Sequence, residues 1–200
     1  MSGRLLLVLS KLHYAANAIT PSNKLPPELL RAVFSYLRPG THHDWEEGPV
    51  PPYRNILTVG CVCRHWREIA VSATELWTNI ILGASSVPAE KEMQIALLCM
   101  RRSGAQPLDF FGCPPPLGPP EVIPELDCRR LRSIVSWRAG EATGGGLADF
   151  LRPALQLEHL EIRGDGTILP PLFSDTPRRL RELVLFRSTP WPNNQFGSLL

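Results

Sequence analysis

A short apolar helix with a hard stop at each end is the feature that most limits how this chain can fold. It lies in NKLPPELLRAVFSYLRPG, residues 23–40. Pro26 and Pro27 cannot sit inside a helix, but proline suits the first helical position. Glu28 then places a negative charge in the first turn, where the helix dipole favours it. Leu25, Leu29, Leu30, Val33, Phe34 and Leu37 recur with helical period and form one wide apolar stripe. Arg31, Ser35 and Arg38 take the opposite face, and Pro39-Gly40 ends the run.

A second stripe follows in NILTVGCVCRHWREIAVSATELW. Ile56, Val59, Cys63, Trp66 and Ala70 fall on one helical face, widened by Leu57, Val62 and Ile69. Arg64, Arg67 and Glu68 stay outside. Thr74 is suited to cap a short turn carrying Leu76 and Trp77. Between the stripes, PGTHHDWEEGPVPP (residues 39–52) has no period and reads as a long surface loop. A helical unit of roughly fifty residues is marginal alone. Part of the stripe therefore needs a partner, either the rest of the chain or another protein. Without further marks, the same stripes would suit the core of any all-helical domain.

The marks exist. KLPPELLRAVFSYL followed by ILTVGCVCRHWREIAVSATELW resembles the F-box across residues 24 to 80. The points of likeness are the Leu-Pro-x-Glu-Leu-Leu start, the Val-Cys-x-x-Trp centre and the closing Leu-Trp. The continuation RRSGAQPLDF and the leucine-rich segments beyond it are similar to fungal F-box-like proteins. The resemblance implies a three-helix module that docks on the Skp adaptor of SCF-type cullin–RING ubiquitin ligases. It implies adaptor contacts at Leu25, Pro26, Leu29, Leu30, Val33, Val62 and Cys63. It implies a module core of Phe34, Leu37, Val59, Trp66, Ile69, Leu76 and Trp77. The loop at 39–52 is longer than the family's usual connection.

The second half carries a repeat. LQLEHLEI sets Leu157, Leu160 and Ile162 in an L-x-x-L-x-L pattern, and RRLRELVL sets Leu180, Leu183 and Leu185 in the same one. The copies lie 23 residues apart, within the ~20–29 of leucine-rich repeats. An earlier degenerate copy, LRSIVS, has Leu131 and Ile134 and lies 26 residues before the first. Each copy is one short strand whose alternating apolar residues point into a stack. Leu169, Leu172 and Phe173 are placed to fill a return segment. Arg163-Gly164 and Arg187-Ser188 stand where such repeats usually carry Asn or Cys. The pattern also suits separate strands of an unrelated α/β domain. Phe196 and Leu199 begin a further copy that stops short, as in a chain cut within a repeat. Before the repeats, SVPAEKEMQIALLCMRRSG reads as a connecting helix with Met93, Ala96, Leu97 and Met100 inward. PLDFF reads as a strand, and GCPPPLGPPEVIP as a loop.

Of 200 residues, 44% are apolar, enough for a core, and 21 basic against 19 acidic residues leave a net charge of +2. That balance argues against a nucleic-acid surface. Five irregularly spaced cysteines, Cys61, Cys63, Cys99, Cys113 and Cys128, read as reduced thiols of a cytoplasmic or nuclear protein. The leader, residues 1–22, is unstructured or helical; its LLLVL core is shorter than the ~7–15 apolar residues of a signal peptide. No run nears the ~18 of a spanning helix, so no membrane partner is expected.

No catalytic constellation emerges. His42, His43, Asp44, Cys61, Cys63 and His65 do not match a zinc spacing, and Cys63 belongs to the apolar stripe. Cys63 and His65 point to different sides of a helix, so they are not a nucleophile–base pair. GEATGGGLADF lacks the fingerprint of a phosphate loop. His159 falls at an exposed strand position. Arg129, Arg130, Arg132 and Arg178, Arg179, Arg181 precede repeat strands and read as a solvated edge, open to an acidic partner.

The expected architecture is α+β: leader 1–22, F-box module 23–82, connecting helix 83–105, and an incomplete leucine-rich-repeat-like solenoid over 106–200. The expected function is non-enzymatic, without cofactor or metal: recruiting a protein substrate to an SCF ligase. The alternative is a repeat scaffold with a helical cap and no ligase.

Overall fold

The computed structural model describes residues 3–38, 53–83, 88–113, 128–137, 151, 154–164, 166, 172–173 and 179–188. Expectations placed on 39–52, 140–150, Leu169, Arg178, Phe196 and Leu199 lie outside them. The chain divides into two compact units between Leu76 and Trp77.

The first unit is helical. α1 spans Gly3–Ile19, α2 Pro27–Ser35, α3 Tyr53–Val62 and α4 Arg64–Ser72. A one-turn helix, Pro21–Lys24, joins α1 to α2. Pro27 opens α2 as its spacing requires, and the Pro26 carbonyl accepts from Leu29 N and Leu30 N. The second stripe does not form one helix. Cys63 is extended (φ −155°, ψ 172°) and breaks the run into α3 and α4. Its Sγ accepts from Trp66 N at 3.5 Å, which caps α4. Arg67 Nε donates to Gly60 O at 2.7 Å and satisfies a carbonyl at the end of α3. The apolar period runs unbroken across this joint, so periodicity alone could not show it.

The core of this unit contains Leu30, Phe34, Ile56, Val59, Cys63, Ile69, Ala70, Ala73 and Leu76. Phe34 meets Trp66 with ring centroids 5.3 Å apart and planes at 57°, a favoured tilted pairing. Leu37 and Trp66 are half-buried.

The second unit is built on one parallel sheet whose five strands lie in chain order. They are β1 Asn79–Leu82, β2 Leu108–Gly112, β3 Leu131–Trp137, β4 His159–Arg163 and β5 Glu182–Phe186. The register aligns Ile80, Phe110, Ile134, Leu160 and Leu183 in one row, at spacings of 30, 24, 26 and 23 residues. The first four of these are fully buried. The three copies read from the sequence are β3, β4 and β5, and PLDFF is β2. β1 is one strand more than the sequence reading found; it falls within 77–82, which that reading gave to the helical module. Trp77 likewise belongs to the second unit, where Arg102 lies 4.4 Å over its ring.

The expected connecting helix is α5, Ala89–Arg102. It packs on β1 and carries the chain from β1 to β2, so it is a crossover within the sheet unit. Ala96 and Met100 are buried as expected, Met93 and Leu97 half-buried, and Cys99 and Glu92 join the buried face. The Glu92 carboxylate accepts from Gly83 N at 2.7 Å, pinning the helix to the turn after β1. Gly112 closes β2 at φ +129°, where a Cβ would collide with the Leu82 carbonyl. Leu172 is buried and Phe173 half-buried.

Candidate functional site

The apolar stripe of α2 divides in two. Leu30 and Phe34 point inward at 1% exposure each, while Leu29 and Val33 remain 52% exposed. Leu29 and Val33, four residues apart on α2, form one outward ridge, and Leu25, in extended backbone just before the helix, is exposed ahead of them. Tyr36, 88% exposed, continues it one turn on. Tyr36 was not among the residues singled out from sequence, although it stands three residues after Val33 and seven after Leu29. Pro26 is exposed beside Leu25. Val62 is exposed on the last turn of α3.

Of the residues expected at an adaptor contact, Leu25, Pro26, Leu29, Val33 and Val62 are therefore at the surface. Leu30 and Cys63 are not. Both are in the interior, Leu30 beside Phe34 in sequence spacing and Cys63 as the cap of α4. Of the expected core, Phe34, Val59, Ile69 and Leu76 are buried, and Leu37 and Trp66 half-buried.

Asn23 is a second residue the sequence reading passed over. Its Nδ2 donates to Asn17 O at 2.7 Å, and its Oδ1 faces Cys63 Sγ at 3.8 Å. One side chain thus ties the end of α1 to the joint between α3 and α4. Arg31 Nη2 reaches Ser72 Oγ at 3.1 Å and links α2 to α4. Charge plays little part in the ridge. The Arg64–Glu68 pair is highly exposed and contributes only a few tenths of a kcal/mol.

Chemically, an exposed ridge of leucine and valine can do one thing, which is to leave water against another apolar surface. Complete burial of each such side chain is worth about 1.5–3 kcal/mol. All five cysteines are free, and burial pushes the Cys99 thiol up to about 12, against a small opposing effect of Arg102. No group of three or more His, Cys, Asp or Glu side chains gathers to hold a metal among the described residues.

On the sheet unit, Arg129, Arg179 and Arg181 are exposed, as a solvated edge requires, while Arg130 and Arg132 are engaged. Arg130 donates to Gln106 O and to Ser103 Oγ at 2.8 Å. Arg132, the extra residue of a bulge between β2 and β3, forks onto Asp109 at 2.6 and 3.1 Å. That hydrogen bond makes the guanidinium hold its proton more tightly than usual. His159 is not exposed: its side chain is 13% accessible and Nδ1 lies 2.9 Å from Glu182 Oε2. Arg179 and Arg181 are exposed and, with Glu158 and Leu180, line a shallow cavity of about 290 Å³.

Residues 22–83 match the F-box-like family model. An F-box-like domain thus occupies the helical unit from the turn before α2 and extends through β1. No curated protein and no solved structure matches the chain.

Proposed function

We propose that this chain is a non-catalytic substrate-recruiting subunit of an SCF-type ubiquitin ligase. F-box domains typically bind Skp-type adaptors, and this one offers the surface such binding needs. The observation that carries the reading is the exposure of Leu25, Leu29 and Val33 inside the segment that matches the family. An adaptor would cover the ridge, Leu25, Pro26 and Val62, with Leu30 and Cys63 supporting them from the interior.

The second unit would hold the protein substrate. Its strands follow one another in chain order and recur at 23–30 residues, which favours a leucine-rich-repeat-like solenoid over an unrelated parallel sheet.

The test is co-expression of the full chain with a Skp adaptor, beside a Leu25→Asp, Leu29→Asp variant. Both positions are exposed, so the variant folds, and each carboxylate would be stranded in an apolar contact at a cost of several kcal/mol. Wild type should co-elute with the adaptor and the variant should not. A folded wild-type chain that leaves the adaptor unbound rejects the ligase reading in favour of a repeat scaffold with a helical cap.

A further inference from the structure

Burial along one row of the sheet stops at β5. The register aligns Ile81, Phe111, Val135, Glu161 and Val184. The first four are 3–6% exposed, whereas Val184 is 37% exposed, and Phe186, two residues on and on the same face, is 56% exposed. β5 is also an edge: among the described strands it pairs with β4 alone. Glu182 N donates to Glu158 O, and Phe186 O accepts from Gly164 N, so these residues turn their backbone groups to β4. Backbone groups alternate sides along a strand, so Leu183 and Leu185 each turn an N–H and a C=O to the open edge. Three exposed arginines flank the strand, Arg179 and Arg181 before it and Arg187 after it. Among the described residues, none of their side chains makes a hydrogen bond or an ion pair. Arg187 lies over the Phe186 ring at 5.5 Å. The carboxylates of the last two strands are engaged, Glu182 with His159 and Glu161 with Arg163. In the shallow cavity at the start of β5, Arg179 and Arg181 outnumber the one carboxylate, Glu158.

We infer that the open edge of β5 receives an extended segment of a partner protein as a sixth strand, a short apolar run with an acidic residue at each end. The outward N–H and C=O groups of Leu183 and Leu185 supply the main-chain bonds of strand addition, and the flanking side chains supply the selection. Val184 and Phe186 lose their remaining exposure against apolar or β-branched neighbours across the new ladder. Arg181 and Arg187 stand six residues apart, about 20 Å along a strand, so the carboxylates that meet them bracket five residues. The rival occupant is a second copy of this chain, and charge opposes it. Two copies of β5 paired over their full length about a twofold axis run antiparallel and centre on Val184. That register sets Arg181 of each copy opposite Arg187 of the other, and like charges directly opposite are destabilising. The inference rests on reading the second unit as the one that holds the protein substrate, and it is independent of adaptor binding.

The test is fluorescence anisotropy of the full chain with a labelled peptide made of glutamate, alternating valine and threonine over the length of β5, and a closing glutamate. The peptide should bind saturably. Lysine in place of both glutamates should weaken binding roughly tenfold, through the loss of two exposed ion pairs. A peptide that keeps its glutamates but has every amide of the run N-methylated should not bind, because it has no donors for the edge. An Arg181→Glu, Arg187→Glu variant should reverse the preference and bind the lysine-ended peptide more tightly. Both positions are exposed, and circular dichroism checks the fold of the variant. Three results overturn the proposal. The first is no binding of the acidic peptide by the wild-type chain. The second is equal binding of the N-methylated peptide, which leaves a charged patch without strand addition. The third is a wild-type dimer in sedimentation that the peptide does not disperse, in which case a second copy is the occupant. Adaptor co-elution is read on the same preparation. Peptide binding absent with adaptor binding kept rejects this inference alone, and the converse rejects the ligase reading alone.

Discussion

Single residues in this chain do work that their side-chain class conceals. Cys63 reads as one more apolar position, yet its sulfur caps a helix and its backbone breaks one. Gly112 reads as a weak strand end, yet nothing larger fits beside the Leu82 carbonyl. Gly112→Ala combines that collision with a left-handed backbone and should cost at least about 2 kcal/mol. In a chain of this size that lowers the melting temperature by roughly 4–8 °C, measurable by calorimetry. Cys99 gives a second prediction. In the folded chain its thiol resists ionisation up to about 12, while the unfolded thiol ionises near 9.0. Its raised folded value means the stabilising neutral form is fully favoured below pH 9 and is lost as pH climbs toward 12. A thiol reagent at pH 8 should therefore modify exposed Cys61 quickly and Cys99 only on unfolding; Cys61→Ser should remove the fast phase. None of this was legible from sequence, because burial and backbone angle are properties of neighbours brought from elsewhere in the chain.

At the scale of elements, the sequence was most informative where period and punctuation agreed. α2 follows from Pro26-Pro27, Glu28 and the stripe, and β3 to β5 from L-x-x-L-x-L. The joint at Cys63 and the strand β1 were hidden for opposite reasons. The joint keeps the helical period through a backbone break, and β1, Asn79–Leu82, has only three consecutive apolar residues, too few to show a period. The stripe of α2 also showed six apolar residues without showing which half faces water, since both halves obey the same period. Substitutions separate them. Leu30→Ala should cost about 2–5 kcal/mol and Phe34→Ala about 3–5, because each opens a cavity in the helical core, the second also removing the ring contact with Trp66. Leu29→Ser and Val33→Ser should shift stability by less than about 0.5 kcal/mol, since both positions are already in water. Denaturant midpoints of the four variants check the contrast. Equal losses at all four would mean that the ridge is covered by the chain itself.

At the scale of the molecule, the order of strands in the sheet is the order of strands in the chain. Among the described strands, each pairs only with its predecessor and its successor, and β5 pairs with β4 alone and has a face alternating exposed and half-buried. Nothing later in the described sequence is threaded behind anything earlier. Under load such an arrangement opens like a zip rather than snapping like a clasp. Tension applied at β5 meets one ladder of hydrogen bonds at a time, and each ladder that parts frees the chain back to the preceding strand. An optical trap pulling from that end should record a staircase with steps of 23, 26 and 24 residues as β5, β4 and β3 leave, then 30 as β2 parts from β1. At about 3.5 Å of chain per residue, each step lengthens the tether by roughly 80–105 Å.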